Sequence, residues 1–99
     1  MSGSISGNPW AITDRSGSVT LGGTAQVLMP ANSQRRGYWV QNVSAGDLWI
    51  TAIGTAAASQ PGIKISPNSL YEVNAGTTPT TAVSIFGATT GLQFSAREW

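Results

Sequence analysis

The chain contains no cysteine and no histidine. A disulfide framework is therefore excluded, and the redox compartment is left unconstrained. Thiolate and imidazole metal sites fall with it, and a serine nucleophile is left without its usual base. Charge is scarce as well. Five bases and four acids make up 9% of the 99 residues, with a net charge of +1, where a typical soluble domain carries about 25% charged residues. Phosphate binding needs a clustered basic surface, so nucleic acid is not an expected partner. So little charge also leaves little repulsion between copies. No run approaches the ~20 apolar residues that cross a bilayer as a helix, and no membrane partner is expected. The opening MSGSISGNPW has neither a basic nor an apolar stretch of the kind that makes a signal peptide.

Straight-chain helix formers are few: Lys64 is the only Lys, and Glu72 and Glu98 are the only Glu. Thr, Val, Ile and aromatics are common instead, and Gly or Pro punctuates the chain about every ten residues. Short runs at that spacing predict an all-β fold, a small antiparallel β-sandwich (jelly-roll-like) or barrel of about eight short strands. The chain length fits one domain, and a domain this size buries only roughly 60–65% of the surface its unfolded chain exposes. Part of its stability is then expected from contacts with other copies or with a partner.

Residues 1–16 are rich in Ser and Gly and read as an extended N-terminal arm, with 17–99 as the single β domain. Trp10 and Ile12 are the arm's only large apolar anchors. Either the arm is a disordered terminus or it orders against a neighbouring subunit. Strands are expected at 18–21, 25–29, 38–43, 47–53, 63–65, 70–73, 83–86 and 92–97. In the turn Ser66-Pro67-Asn68-Ser69, Pro67 suits position i+1 and Asn68 position i+2. Tyr38–Val43 and Asp47–Ile53 read as a hairpin over Ser44-Ala45-Gly46, which sets Val40 opposite Ile50 and Gln41 opposite Trp49. A two- or four-residue loop would instead put Trp39 with Leu48 and Ile50. The three-residue register is preferred because it separates aliphatic from mixed positions, and in it Tyr38, Val40, Leu48 and Ile50 form a core face. Trp39, Gln41, Trp49 and Thr51 form the other. That second face is either an exposed contact patch or a surface covered by the chain's own loop. The 83–86 and 92–97 strands read as a last hairpin.

Catalytic groups are thin on the ground. Ser66 lies two residues from Lys64, so a straight strand would point both to one face, but such pairs are commonplace in strands. The acids are Asp14, Asp47, Glu72 and Glu98. Asp47 is expected to cap its turn and Glu72 to pair with Lys64 across the sheet. No phosphate-cradling Gly-rich motif with a Lys is present, and Asn8 and Asp14 are too few for calcium. No cofactor, metal or catalytic residue is expected. Arg35-Arg36 is the one local cluster of charge. It reads as a solvated loop end, or as a contact to an acidic partner or neighbouring subunit, and Arg suits a buried pairing because its fork binds carboxylates bidentately. Trp99 is either a plug closing the domain's end or an anchor in a neighbour.

Three stretches are familiar together: GGTAQVLMPANSQRRGYWVQNVSAGDLWI, GTAAASQPGIKISPNSLYEV and VSIFGATTGLQFSAREW. Arg-Arg precedes a strand ending Gln-Asn. A Gly-Asp turn leads into Leu-Trp-Ile, followed by Ile-x-Ile-x-Pro, Tyr-Glu-Val and a final pair of strands. Over Gly17–Trp99 the chain resembles a small β-module of tailed-bacteriophage virion proteins, of the capsid decoration (cement) or head-fibre type. The resemblance implies a non-enzymatic virion structural protein on the outer capsid surface. It would self-assemble, often as a trimer, and stabilise junctions between subunits of the major capsid protein or bind another virion protein. The residues expected at such an interface are Trp10, Ile12, Arg35, Arg36, Trp39, Gln41, Trp49 and Trp99. A head-fibre or neck/tail component is the alternative. A carbohydrate-binding module is another, with Trp39 and Trp49 as stacking platforms and Gln41 and Asn42 as hydrogen-bonding groups.

Overall fold

The computed structural model describes residues 12–74 and 76–99. Among them lie nine strands and no helix: β1 Thr13–Asp14, β2 Gly17–Ser18, β3 Gln26–Met29, β4 Tyr38–Asn42, β5 Leu48–Thr51, β6 Ile63–Ile65, β7 Leu70–Val73, β8 Val83–Gly87 and β9 Gln93–Glu98. Period-2 alternation makes most of them. Tyr38, Val40 and Asn42 of β4 are buried, while Trp39 and Gln41 between them stay partly exposed. Phe94, Ala96 and Glu98 of β9 turn inward in the same way.

The strands form two antiparallel sheets. One has the order β1–β9–β4–β7, with β2 also pairing β9, and the other runs β3–β8–β5–β6. The pairing is nested: β2 with β9, β3 with β8, β4 with β7 and β5 with β6. A long hairpin with its tip between β5 and β6 is in effect rolled up, which is the strand order of a jelly roll. The chain is thus the expected small β-sandwich rather than a barrel. Met29, Val40, Leu48, Val83 and Ile85 fill the space between the sheets and are fully buried. Each such side chain contributes ~1.5–3 kcal/mol by leaving water.

Local chemistry shapes the connections. In the Ser66–Ser69 turn, Asn68 has φ 68°, and the Ser69 N–H donates to the Ser66 carbonyl at 2.9 Å. Both match the turn expected from Pro67 and Asn68. Gly22 lies so close to the 88–90 backbone that a Cβ there would come within 2.6 Å of the Ala88 oxygen and the Thr90 nitrogen.

The pairing of neighbouring strands departs from expectation. β4 and β5 are not a hairpin, because they belong to different sheets. Both ladder edges of β4 are taken by β7 and β9, and both edges of β5 by β6 and β8. The buried Asn42 side chain turns the corner between them. Its amide donates to the carbonyls of Gly46 (2.6 Å) and Ile65 (2.8 Å), and its oxygen accepts from the Ser44 N–H (2.9 Å) and hydroxyl (2.7 Å). β8 and β9 likewise lie in opposite sheets, so the expected last hairpin also spans the sandwich. The face assignment survives this change, because inward and outward positions depend on each strand's own alternation and not on its partner. The sheet also starts earlier than expected: Thr13 and Asp14, inside the expected arm, pair with Glu98 and Arg97 of their own subunit. Trp10 lies outside the described residues.

Candidate functional site

The two tryptophans expected on one face sit on opposite sides of the molecule. Trp39 is on the outer face of the β9–β4–β7 sheet and Trp49 on the outer face of the β8–β5–β6 sheet. A joint sugar-stacking platform is therefore ruled out by topology. Trp49 is flanked across its sheet by Lys64 and Phe86. The 52–62 loop folds back over this face. The Ala56 N–H donates to Ser84 Oγ at 3.0 Å, Thr51, Ala56 and Ser84 are buried, and a Cβ on Gly62 would lie 3.3 Å from the Trp49 ring. On this side the reading of a face covered by the chain's own loop holds.

Among the described residues, the other sheet's outer face sets Trp39 half-buried between the exposed Glu72 and Arg97. Register sets Glu72 of β7 opposite Trp39 of β4, Trp39 opposite Arg97 of β9, and Arg97 opposite Asp14 of β1. The Arg97 guanidinium carbon lies 4.9 Å from the Trp39 ring centroid, a cation–π contact. Trp39, Glu72 and Arg97, with Ile12 and Trp99, line a shallow depression of ≈ 280 Å³. Among the described residues neither Glu72 nor Arg97 has an ion-pair partner within 4.0 Å. Asp14 accepts the Ser16 N–H at 2.9 Å. Hydrogen bonds from the Ser16 side chain and backbone, aided by the nearby Arg97 charge, hold its carboxyl below the ordinary value. The Trp99 indole packs on Gly37, where a Cβ would stand 2.7 Å from Cζ2. Trp99 and Gly37 exchange backbone hydrogen bonds at 3.0 and 3.1 Å. This contact fits the end-plug reading of Trp99, while the partly exposed ring also borders the depression.

Arg35 leaves the expected interface set. Its side chain is 0% exposed and its Nε donates to Glu98 Oε1 at 2.9 Å. Its remaining nitrogens donate to the carbonyls of Pro79, Thr81 and Pro30 at 2.7–2.8 Å. Glu98 also accepts from Arg15 Nε at 2.6 Å and Asn32 Nδ2 at 3.2 Å. It occupies an inward position of β9 at the end of the core, so a charge there needs this many donors. Burial pushes its carboxyl up, but the hydrogen bonds from Arg35, Arg15 and Asn32 and the Arg35 charge together hold it below its ordinary value. Arg36 is exposed at its side chain, and its carbonyl accepts the Thr78 hydroxyl at 2.8 Å.

The remaining candidates resolve in the same way. Lys64 Nζ lies 3.5 Å from Asp47 Oδ2, not beside Glu72, because β6 and β7 belong to different sheets. Among the described residues no three acids cluster to hold a metal ion. A second depression of ≈ 310 Å³ opens between the sheets beside β6 and β7, lined by Tyr38, Ile53, Ile63, Tyr71 and neighbours. Tyr38 is its most buried polar group, and burial chiefly, with Tyr71 nearby, pushes its hydroxyl up to about 12.

No protein-family model, curated protein or solved structure matches the chain. Sequence reasoning missed Glu72 and Arg97 as members of the Trp39 face. The signal was present in the period-2 spacing of Arg97 and Trp99, but only the cross-strand register places both charges beside Trp39.

Proposed function

We propose that the chain is a non-enzymatic virion structural protein, a capsid decoration module that self-associates and stabilises subunit junctions on the outer capsid surface. One observation carries the reading. A domain with very little charge leaves large aliphatic side chains at its surface, with Ile12 59%, Leu70 56% and Ile53 74% exposed, and on one sheet face sets a half-buried Trp39 between the exposed Glu72 and Arg97. Such a surface gains free energy when another protein covers it. The resemblance to phage virion modules supplies the setting, and the jelly-roll order is one that viral capsid proteins use. The catalytic alternatives have little to work with, since Lys64 is engaged by Asp47 and Glu98 by two arginines.

Repetition around a closed shell turns many weak contacts into strong avidity. The test is saturable binding of the purified chain to undecorated capsids, with native mass spectrometry of the free chain alongside. Decoration at fixed stoichiometry and self-association are the expected results. A strictly monomeric chain that leaves bare heads untouched would overturn the proposal. The glycan reading now rests on Trp39 without Trp49, and a glycan array with no hits would remove it.

A further inference from the structure

We infer that the Trp39 face is a self-complementary contact, formed when two copies meet face to face about a two-fold axis lying along β4. This rests on the self-association proposed above and assigns it a surface. The argument is one of register. Across the outer face, neighbouring strands present the row Asp14, Arg97, Trp39, Glu72, with the sequence of charges negative, positive, aromatic, negative.

Facing sheets related by a two-fold have the axis in the plane between them. An axis perpendicular to the strands would set each residue of the row against its own counterpart, Glu72 on Glu72 and Arg97 on Arg97. An axis parallel to the strands reverses the row instead. Placed through Trp39, it sets each Glu72 against the partner's Arg97 and brings the two indoles together. Shifted to lie between Arg97 and Trp39, it would set Glu72 against the partner's Asp14. An axis between Asp14 and Arg97 would also pair opposite charges twice but would leave Trp39 and Glu72 uncovered. The axis through Trp39 alone joins two opposite-charge pairs to the burial of both indoles, with no like charges facing each other. In the next row the same axis sets Leu70 against Ser95 and Gln41 against itself.

Two features of the monomer suit this face to the task. Glu72 and Arg97 spend their charges on no ion pair among the described residues, and Arg97 is already stacked at 4.9 Å on Trp39, so little ordering remains to be done. The opposite sheet offers no equivalent, because the row across Trp49 is Lys64, Trp49, Phe86, with a single charge and so no opposite-charge pairing under a two-fold. The contact is small. Strands spaced about 4.8 Å with a rise of about 3.3 Å per residue give a face on the order of 300 Å² per copy, below the standard interface. The pair is therefore weak in dilute solution and effective where a lattice holds copies together. It is a two-fold contact, not the three-fold arrangement the resemblance implies.

The experiment is a charge-reversal cycle read by sedimentation equilibrium, with capsid binding measured on the same proteins. Both side chains point to solvent, so Glu72→Arg and Arg97→Glu should fold, which far-UV circular dichroism checks. Each single reversal turns two attractive contacts per dimer into repulsions and should weaken association roughly tenfold. The double reversal should return it to within about threefold of the starting chain. A wild-type chain that stays monomeric up to about millimolar concentration, single reversals without effect, or a double reversal that recovers nothing each overturn the two-fold contact. If that chain still decorates bare capsids, the virion proposal stands without it. If the cycle closes but capsids are not bound, the contact stands and the virion proposal falls.

Discussion

Replacing Glu98 by Gln tests how the end of the sandwich is closed. Glu98 is 1% exposed, and its carboxylate accepts from Arg35, Arg15 and Asn32. Gln keeps the shape but removes the charge, and it turns one acceptor into an NH₂ donor facing a guanidinium. Arg15 can return to water, since its side chain is already 32% exposed, but Arg35, at 0%, cannot. Breaking a buried pair from one side costs about 3–5 kcal/mol. The Arg35 cation retains three carbonyl acceptors, so the lower end, about 3 kcal/mol, is expected. That is a large part of the roughly 5–15 kcal/mol a small domain has in total, and at about 4 °C or more per kcal/mol it lowers the melting temperature by at least ~12 °C.

Urea titration should show the midpoint moving at unchanged slope. The pH dependence has a definite sign. A carboxyl held below its ordinary value in the fold contributes stability that is complete above the unfolded pKa of about 4.3, and that stability is lost as pH falls through the lower folded value. Glu98→Gln should flatten that acid limb. Arg35→Met with Glu98→Leu should not restore stability as apolar replacement of a buried pair often does, because the carbonyls of Pro30, Pro79 and Thr81 lose their donor at up to about 1–3 kcal/mol each. A loss under about 1 kcal/mol for Glu98→Gln, with the acid limb unchanged, would refute the reasoning.

Asn42→Ala should cost about 2–4 kcal/mol, since it leaves the carbonyls of Gly46 and Ile65 and the Ser44 donors without their partner; chemical denaturation measures it, and a near-neutral change would deny the side chain its corner-turning role. Ser84→Ala removes the acceptor of the buried Ala56 N–H, with an expected loss of about 1–3 kcal/mol and a red-shifted Trp49 emission as the covering loop loosens, best read against a Trp39→Phe background. Gly22→Ala forces a Cβ to within 2.6 Å of backbone atoms at Ala88 and Thr90, so a loss of about 1–3 kcal/mol is expected in thermal melts, and an unchanged melting temperature would contradict the close approach.

Strand positions and faces were legible because they depend on local alternation. Ile63–Ile65 and Leu70–Val73 lie where the pattern puts them, and Tyr38, Val40, Leu48 and Ile50 are all buried. Pairing was not legible, because a short loop such as Ser44–Asp47 serves a hairpin or a crossing between sheets equally well in composition. The deciding residue, Asn42, is polar at a core position, and its role shows only once the carbonyls of Gly46 and Ile65 converge on it. Arg35 was misplaced at the surface for the related reason that its acid lies 63 residues away in sequence. Trp39 was found, but its neighbours Glu72 and Arg97 come from strands that only the nested order brings beside it.

That nested order also orders events in time. Only β5 and β6 are sequence-local partners within a sheet; each later pair encloses the one before it. Once the inner pair has formed, the next closure spans only two short connections rather than the whole intervening chain, so its entropic toll stays small. Assembly should therefore zip outward from the tip, at the slow rates typical of non-local β topologies. The closures of β9 on β2 and then on β1 come last, and lesions there should hasten unfolding while leaving the folding rate almost untouched.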